Sequence, residues 1–407
     1  MKISQYIILA AVLLLTACKA GDEVQQSIVQ HAVTFTANMS GEGGTTRASN
    51  VINNTDGLKP PGTGFGVFGC YTGLHKYLDS NVHPDFMYNE HVTWGQWLSN
   101  DYEWGYSPLK YWPNGEGETT ASLITGENPH YVSFMAYAPY TTGSASQCVY
   151  RFSKQGDKGD PWLEYRLAPE ISNQVDLLYA QPLLDEKKHT IDERLLFTFD
   201  HALGCVGDYI SINLCQEYIE GLLDMPFSNS IWMNINRVTV TYTLTEEGRL
   251  VLWNDKTTPN WQLVTDGSPT TTRTLTWSLD PVLRIYSYDK TGNPSAVPKT
   301  ESETWSDSGN GVFYIPTQFG TNPQTVKLTV NYTVYIDGKP ETPHDISRTF
   351  KLSEYPDGYQ AGKHLYITAH ICGPVDEPEL TGLLIDGMLM STKNWNNEDK
   401  GQEVYNW

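Results

Sequence analysis

The chain has 407 residues and a formal net charge of −20 at pH 7, and it is rich in large rings, with 12 Trp and 25 Tyr. Such an excess of negative charge argues against nucleic acid or an anionic membrane surface as a partner, because both would repel the protein. The length exceeds that of one typical domain and suits two.

The N-terminus predicts export and a lipid anchor. Lys2 precedes the apolar run IILAAVLLL, and the small-residue sequence LTAC ends at Cys18. A basic start, a short apolar run and a small-residue cleavage site are typical of a secretory signal, and the run is too short to span a membrane. The LTAC ending resembles a bacterial lipobox, so we predict a signal peptide over 1–17 and acylation of Cys18, for example with palmitate. An ordinary signal with a free cysteine is the alternative.

The next element is a β-strand at 33–39, VTFTANM. Its apolar and polar residues alternate, which is typical of a strand with one buried face. The apolar face consists of Val33, Phe35, Ala37 and Met39. A loop rich in Gly, Ser and Thr follows, and within it Arg47 is the only Lys or Arg between Lys19 and Lys59. This composition predicts an exposed loop with one basic residue.

Aromatic residues are concentrated at 94–112. We favour the interpretation that these rings fill and cap a hydrophobic core, with their polar atoms at its edge. A platform on which sugar rings stack is the alternative. The candidate stacking residues are Trp94, Trp97, Trp104 and Trp112.

The rest of the chain is rich in β-type segments, and the clearest is VKLTVNYTVYI at 326–336. Strands at roughly ten-residue spacing with polar turns between them indicate β-sandwiches. The longest helix candidate is short, at 211–223. The charged loop at 179–194 is the best place to divide the chain. We therefore predict an all-β chain with a lipidated segment over 18–47, an N-terminal sandwich over 33–190 and a C-terminal sandwich over 191–407.

Motifs for catalysis or metal binding are lacking. The sequence has no GxSxG, HExxH or GxxxxGK[ST] motif, and its histidines do not follow a metal-ligand spacing. We predict no metal, no cofactor and no enzyme activity, although carboxylates are numerous enough to leave a secreted hydrolase as a third alternative. Five cysteines follow Cys18, which favours buried free thiols over a disulfide framework. A Cys205–Cys215 bridge is the alternative.

Seven short pieces after the lipobox occur in the order typical of one family. They are GFGVFGCY at 64–71, YSPLKYWP at 106–113, VSFMAYAPY at 132–140, DLLYA at 176–180, FTFDHALGCV at 197–206, YIP at 314–316 and AGKHLYIT at 361–368. In these pieces the chain resembles the fimbrillins of Bacteroides-type bacteria, the subunits of type V pili. The resemblance covers nearly the whole mature chain.

The resemblance implies two transthyretin-like β-sandwich domains in tandem and a surface-exposed lipoprotein of the outer membrane. It also implies that an Arg- or Lys-specific surface protease cuts between Arg47 and Ala48. The first strand would then leave, and a strand of another subunit, identical or different, would fill the groove in a fimbrium. Strand exchange of this kind agrees with general physical principles, because a strand edge flanked by apolar pockets binds an added strand. A solvated Arg47 that no enzyme cuts is the alternative.

The donated strand is expected near the C-terminus. The segment at 382–395, GLLIDGMLMSTKNW, is unusually apolar. Its candidate donor residues are Leu383, Leu384, Ile385, Met388, Leu389 and Met390. A last core strand of the chain's own domain is the alternative. The function predicted is that of a structural, accessory or tip subunit of a cell-surface pilus. A surface carbohydrate-binding lipoprotein that recognises host or bacterial glycans is the runner-up.

Overall fold

The computed structural model describes residues 32–40, 51–80, 82–97, 101–113, 130–187, 194–214, 230–253, 258–264, 272–279, 283–289, 303–305, 311–319, 323–336, 339–340, 342–355, 359–372 and 384–394. Within them the chain forms 23 β-strands and four short 3-10 helices, with no α-helix. The prediction of an all-β fold is confirmed. In the described residues, no helix has both the length and the apolarity that crossing a membrane requires.

The strands are numbered in chain order. They are β1 (Phe35–Met39), β2 (Phe65–Gly73), β3 (Met87–Gln96), β4 (Tyr102–Gly105), β5 (Tyr131–Ala138), β6 (Val149–Phe152), β7 (Trp162–Arg166), β8 (Leu178–Ala180), β9 (Leu183–Glu186), β10 (Leu195–His201), β11 (Gly204–Leu214), β12 (Ser230–Thr245), β13 (Glu247–Val251), β14 (Asn260–Gln262), β15 (Thr272–Leu279), β16 (Leu283–Asp289), β17 (Glu303–Trp305), β18 (Val312–Tyr314), β19 (Thr325–Ile336), β20 (Lys339–Pro340), β21 (His344–Lys351), β22 (Lys363–Cys372) and β23 (Leu384–Asn394). The 3-10 helices are Thr55–Leu58, Tyr77–Asp79, Ile171–Asn173 and Leu352–Glu354.

The first sheet has the strand order β1-β10-β8-β5-β2-β3-β4, and β9 also pairs with β5. β1 lies at one edge and is parallel to β10, whereas the other strand pairs in this sheet are antiparallel. The sheet curls until its two edges approach each other. An isolated bridge joins Ala32 to Tyr111, just beyond β4.

Three further sheets complete the described fold. Their orders are β14-β13-β7-β6, β17-β11-β22-β23 with β18 on β11, and β15-β12-β19-β20 with β16 on β12 and β21 on β19. Because β7 pairs with β13, the first of these sheets joins strands from early and late parts of the chain.

Strand pairing corrects the position of the predicted division. β10 follows the charged loop at 179–194, yet it pairs with β1 and β8 of the first sheet. A boundary between 190 and 191 therefore cuts through one sheet. The predicted loop itself includes the last residues of β8 and all of β9, which belong to the same sheet as β10. The number of domains stays a prediction.

Two buried clusters fill the interior of the described fold. The smaller lies inside the curled first sheet and is dominated by aromatic rings, including Phe65, Phe134 and Phe197. The larger runs from the back of the first sheet through the other sheets and includes Tyr165, Tyr242 and Tyr314. Both clusters exclude water from large rings, which is the main favourable contribution to folding.

The structure also bears on the predictions for the cysteines and for the helix candidate. Cys70 and Cys148 are buried free thiols, as favoured, and Cys205 is also buried. Cys215 lies outside the described residues, so the alternative Cys205–Cys215 bridge stays a prediction. The helix candidate at 211–223 is wrong in its first four residues, because they lie in β11 and pair with β22. Residues 215–223 lie outside the described residues.

A buried carboxylate stabilises the four-stranded sheet. The Glu164 side chain on β7 is fully buried and lies between Arg151 and Arg249 of the two neighbouring strands. Arg151 Nη2 donates to Glu164 Oε1 over 2.9 Å, and Arg249 Nη2 donates to the same oxygen over 2.6 Å. The guanidinium of Arg249 also stacks 3.9 Å from the ring centre of Trp162. With the bonds from the two Nε atoms, the carboxylate is held by four charge-assisted bonds away from water.

We expect Glu164→Gln to lower the free energy of unfolding by about 2–4 kcal/mol, because two arginines lose the carboxylate that neutralises them. The matched control is Glu354→Gln, which breaks the exposed pair of Lys351 with Glu354 at 3.3 Å. Its cost should stay below about 1 kcal/mol. Urea unfolding of both variants measures the difference, and equal costs would contradict a stabilising role for the buried carboxylate.

Candidate functional site

The candidate site is the position of β1, which we call the β1 groove. It is bounded by β10 on one side and by residues 106–111 on the other. β1 pairs with β10 in register from Phe35 opposite Leu195 to Met39 opposite Phe199. A strand at the edge of a sheet is bonded along its full length on one side only, so it is the strand most readily replaced by another.

The inward side chains of β1 fill an apolar interior. Val33, Phe35 and Met39 are at most 2% exposed, and Ala37 is half-buried against the same cluster. The ring of Phe35 lies 5.5 Å from Phe134 and 5.5 Å from Phe197, centre to centre. Burying each of the three larger side chains is worth roughly 1.5–3 kcal/mol, so an empty groove exposes a costly apolar surface.

One end of the groove holds β1 through the main chain and a tyrosine. Val33 N–H donates to the Lys110 carbonyl over 2.9 Å, and the Tyr106 hydroxyl donates to the Val33 carbonyl over 2.9 Å. On the other side, Leu195 N–H donates to the Thr34 carbonyl over 2.9 Å. Burial raises the pKa of Tyr106 well above its ordinary value, so its hydroxyl stays protonated and able to donate.

An ion pair joins the two walls near this end. Arg194, just before β10, donates from Nη2 to Glu103 Oε2 on β4. The Glu103 side chain is buried, whereas that of Arg194 is partly exposed. The pair connects the two edges between which β1 lies, so the walls have a direct link of their own.

The far end of β1 leads to the predicted cleavage loop. Ser40 N–H donates to the Phe199 carbonyl over 3.0 Å. After the loop, Ile52 N–H donates to Asp176 Oδ2 over 2.9 Å, and the other oxygen of this buried carboxylate lies 3.0 Å from His201 Nδ1. Both ends of the loop are therefore attached near the end of β10. Arg47 and Ala48 lie outside the described residues.

Two of the four tryptophans in the predicted sugar-stacking platform are buried, which contradicts that part of the prediction. Trp104 and Trp112 are 5% and 6% exposed, and they pack on Phe65 and Phe134 in the interior of the first sheet. Rings without a free face cannot stack on a sugar, so these two side chains belong to the core. This agrees with the favoured interpretation of the aromatic segment.

The other two tryptophans lie closer to the surface. Trp94 is half-buried, with its ring centre 4.6 Å from Lys59 Nζ. Trp97 is 37% exposed and Tyr102 is 63% exposed. The Trp97 ring lies flat on Gly105, where a Cβ atom would come within 2.3 Å of it. An exposed aromatic edge therefore remains at β3 and β4.

The candidate donor segment forms a strand of its own sheet. Residues Leu384–Asn394 pair antiparallel with β22 and lie at the sheet edge. Leu383 lies outside the described residues. Among the described residues this segment is the last strand, as in the alternative interpretation, and at the sheet edge it pairs with β22. Donation stays a prediction.

Elsewhere, a cleft of about 530 Å³ lies between the β5–β6 connection and the chain after β7. Its lining includes Tyr140, Cys148, Arg166 and Asn173. Burial raises the pKa of the Cys148 thiol, which makes it a weak nucleophile. Among the described residues, no group of three or more His, Cys, Asp or Glu side chains is placed to hold a metal ion.

Known proteins share this architecture. A solved fimbrial protein from Bacteroides vulgatus matches 89% of this chain and 99% of its own, with a TM-score of 0.58 at 16% identity. The curated fimbrium subunit Fim1C of Phocaeicola vulgatus is 26% identical over 226 residues, or 49% of this chain. The chain is thus similar in sequence to a fimbrium subunit and in fold to a fimbrial protein. The resemblance found in its short sequence pieces is thereby confirmed.

The extent of these matches differs. The aligned part covers 54% of Fim1C, so the chain spans about half the length of this curated relative. A candidate cell adhesion protein from Bacteroides uniformis covers 91% of the chain, but its TM-score is only 0.40 at 13% identity. No protein-family model matches the chain. The solved fimbrial protein therefore supports the fold of this chain.

Sequence reasoning missed two parts of the site. The hydroxyl of Tyr106 and the Asp176–His201 pair contact the strand and the chain after the loop, yet nothing in their spacing indicates this. Both lie in sequence pieces that carried the family resemblance, YSPLKYWP and DLLYA with FTFDHALGCV. Their location in these pieces was the only feature of the sequence that could have pointed to them.

We expect Phe35→Ala to lower the free energy of unfolding by about 3–5 kcal/mol, because a fully enclosed ring leaves a cavity among other rings. The control is Leu196→Ala on the neighbouring strand, where the side chain is 48% exposed. Its effect should stay within about 0.5 kcal/mol. Denaturant unfolding measures both, and a small effect at Phe35 would show that β1 contributes little to the core.

Proposed function

We propose that the chain is a structural or accessory subunit of a cell-surface fimbrium and is assembled by strand exchange at the β1 groove. The observation that carries the proposal is the position of β1, an edge strand whose buried side chains fill an apolar groove. A relative named as a fimbrium subunit supports the same role.

Cleavage in the loop after β1 would start the exchange. Arg47 is a single basic residue in a Gly-, Ser- and Thr-rich sequence, and proteolysis concentrates in loops of this kind. A surface protease specific for Arg or Lys would cut between Arg47 and Ala48. After the cut, β1 is held only by non-covalent contacts, whereas the chain from Ile52 onward stays attached through the buried Asp176. The first strand is therefore the part that leaves.

A strand of another subunit would then occupy the groove. Main-chain bonds to β10 give affinity, and alternate side chains give register. The C-terminal segment fits by pattern: Leu383, Ile385, Gly387 and Leu389 repeat the large, large, small, large order of the β1 face. β23 is an edge strand, so its withdrawal would break one ladder. The fimbrium would be a polymer of this chain or of this chain with other subunits.

Before assembly, acylation of Cys18 would anchor the precursor at the outer membrane, because each buried methylene of an acyl chain adds about 0.8 kcal/mol. Cleavage at Arg47 separates the anchor from the rest of the chain. The same cut would thus release the subunit from the membrane and open its groove, which couples location to assembly.

Carbohydrate binding is a second candidate function, favoured by the exposed rings of Trp97 and Tyr102. On a glycan array, Tyr102→Ala should reduce any signal about tenfold if the rings stack on sugars. The matched control is Tyr111→Ala, which removes another partly exposed ring beside the groove. Equal signals from the wild type and from Tyr102→Ala would remove this surface from consideration.

For the assembly proposal, we expect Arg47→Ala to give a stable, lipidated, surface-located protein that does not enter fibres, because β1 is never freed. Lys59→Ala is the control, since it removes the next basic residue but leaves the loop intact. N-terminal sequencing of protein from isolated fibres should give Ala48. A fibre-borne chain that still begins at Cys18 would exclude Arg47 from the mechanism and indicate a membrane-proximal anchor.

A further inference from the structure

One end of the β1 groove contains a hydrogen-bonded arrangement whose parts belong to the wall and not to the strand. The Tyr106 hydroxyl contacts three main-chain atoms. It lies 2.9 Å from the Val33 carbonyl, 3.4 Å from the Lys110 carbonyl and 3.2 Å from the Lys110 nitrogen. Tyr106 is 2% exposed, so water does not compete for these bonds.

The single proton of the Tyr106 hydroxyl determines which of these hydrogen bonds it can donate. A phenol has one proton to donate, and the nitrogen of Lys110 can only donate. Lys110 N–H therefore donates to the phenol oxygen, and the phenol proton has two acceptors to choose between. The Val33 carbonyl is 0.5 Å nearer than the Lys110 carbonyl, which already accepts from Val33 N–H over 2.9 Å. With β1 in place, the Tyr106 hydroxyl therefore donates to the Val33 carbonyl of the strand.

We infer that Tyr106 and the Lys110 main chain form a register latch, which binds the main chain of whichever strand occupies the groove and satisfies itself when the groove is empty. When β1 leaves, the Lys110 carbonyl loses the Val33 donor and the Tyr106 hydroxyl loses the Val33 acceptor. The two freed partners are already 3.4 Å apart. A rotation of the hydroxyl pairs them, so neither of these two groups is left without a hydrogen-bond partner.

The latch selects main-chain geometry, which makes it independent of side-chain identity. It requires one residue of the occupant to present its N–H and its carbonyl to the same wall, at the position of Val33. A strand displaced by one residue would turn its apolar face away from the core and bring the wrong amide to Lys110. Tyr106 is thus a positioning residue for strand exchange, and this role rests on the proposed function.

The test follows release of the resident strand from the full chain. The chain is cut by limited digestion with an Arg-specific protease, and a labelled synthetic peptide of residues 30–41 is added in excess. The rate at which the peptide replaces the resident fragment is measured. Tyr106→Phe should raise this rate about threefold to tenfold, as expected for the loss of one hydrogen bond. Tyr150→Phe, which removes a hydroxyl that bonds Glu247 in the separate four-stranded sheet, should leave it unchanged.

A second arm separates the latch from a general packing role. In a peptide whose Val33 carbonyl is a thioamide, that acceptor is weaker, so the peptide should dissociate faster from the wild-type groove. In Tyr106→Phe the same replacement should have no further effect, because the two changes remove one bond. Should Tyr106→Phe fold poorly, a peptide methylated on the Val33 nitrogen tests the bond to Lys110 in the wild-type protein.

The outcomes distinguish the two proposals. Equal exchange rates for all three proteins, or additive effects of the variant and the thioamide, would overturn the latch while leaving strand exchange intact. A peptide that never replaces the resident fragment in the wild-type protein would overturn strand exchange and the latch with it.

Discussion

The parallel pairing of β1 with β10 is the interaction on which the first sheet depends. β1 completes the hydrophobic interior, because Phe35 lies among Phe134, Phe197 and Tyr106. Yet its main chain is bonded along its length to β10 alone, with contacts to the opposite wall only near Val33. The strand therefore contributes much side-chain burial for few main-chain bonds. These are the features that the proposed strand exchange requires of β1.

Both ends of the predicted cleavage loop are attached to the first sheet through carboxylates. Ser40 donates from its main chain to the Phe199 carbonyl and from its hydroxyl to Asp200 Oδ1, whereas Ile52 N–H donates to the buried Asp176 carboxylate, which also contacts His201. If the proposed cut is made between these points, the chain after Ile52 stays covalently joined to the rest of the protein. β1 would then be held by non-covalent contacts alone, so it is the part that could dissociate.

The four-stranded sheet joins segments of the chain that are far apart in sequence. β7 and β13 are far apart in sequence but pair directly, and the buried Glu164 on β7 bonds arginines from both flanking strands. Removal of β1 would leave this sheet untouched. Its strands contact a different buried cluster from the one that β1 completes. In the proposed exchange, loss of the first strand would therefore open the groove and leave the contacts of the four-stranded sheet in place.

The sequence by itself determined the all-β class, the resemblance to fimbrillins and the buried face of the first strand. These follow from local alternation and from short pieces in a fixed order, such as VTFTANM and FTFDHALGCV. Only the tertiary structure decided that β10 belongs with β1, that Trp104 and Trp112 are core residues, and that Tyr106 bonds the strand. The physical reason is that strand partners, burial and the acceptor of a hydroxyl depend on residues distant in sequence. Period-2 alternation fixes which face is apolar, but not which strand or ring will cover it.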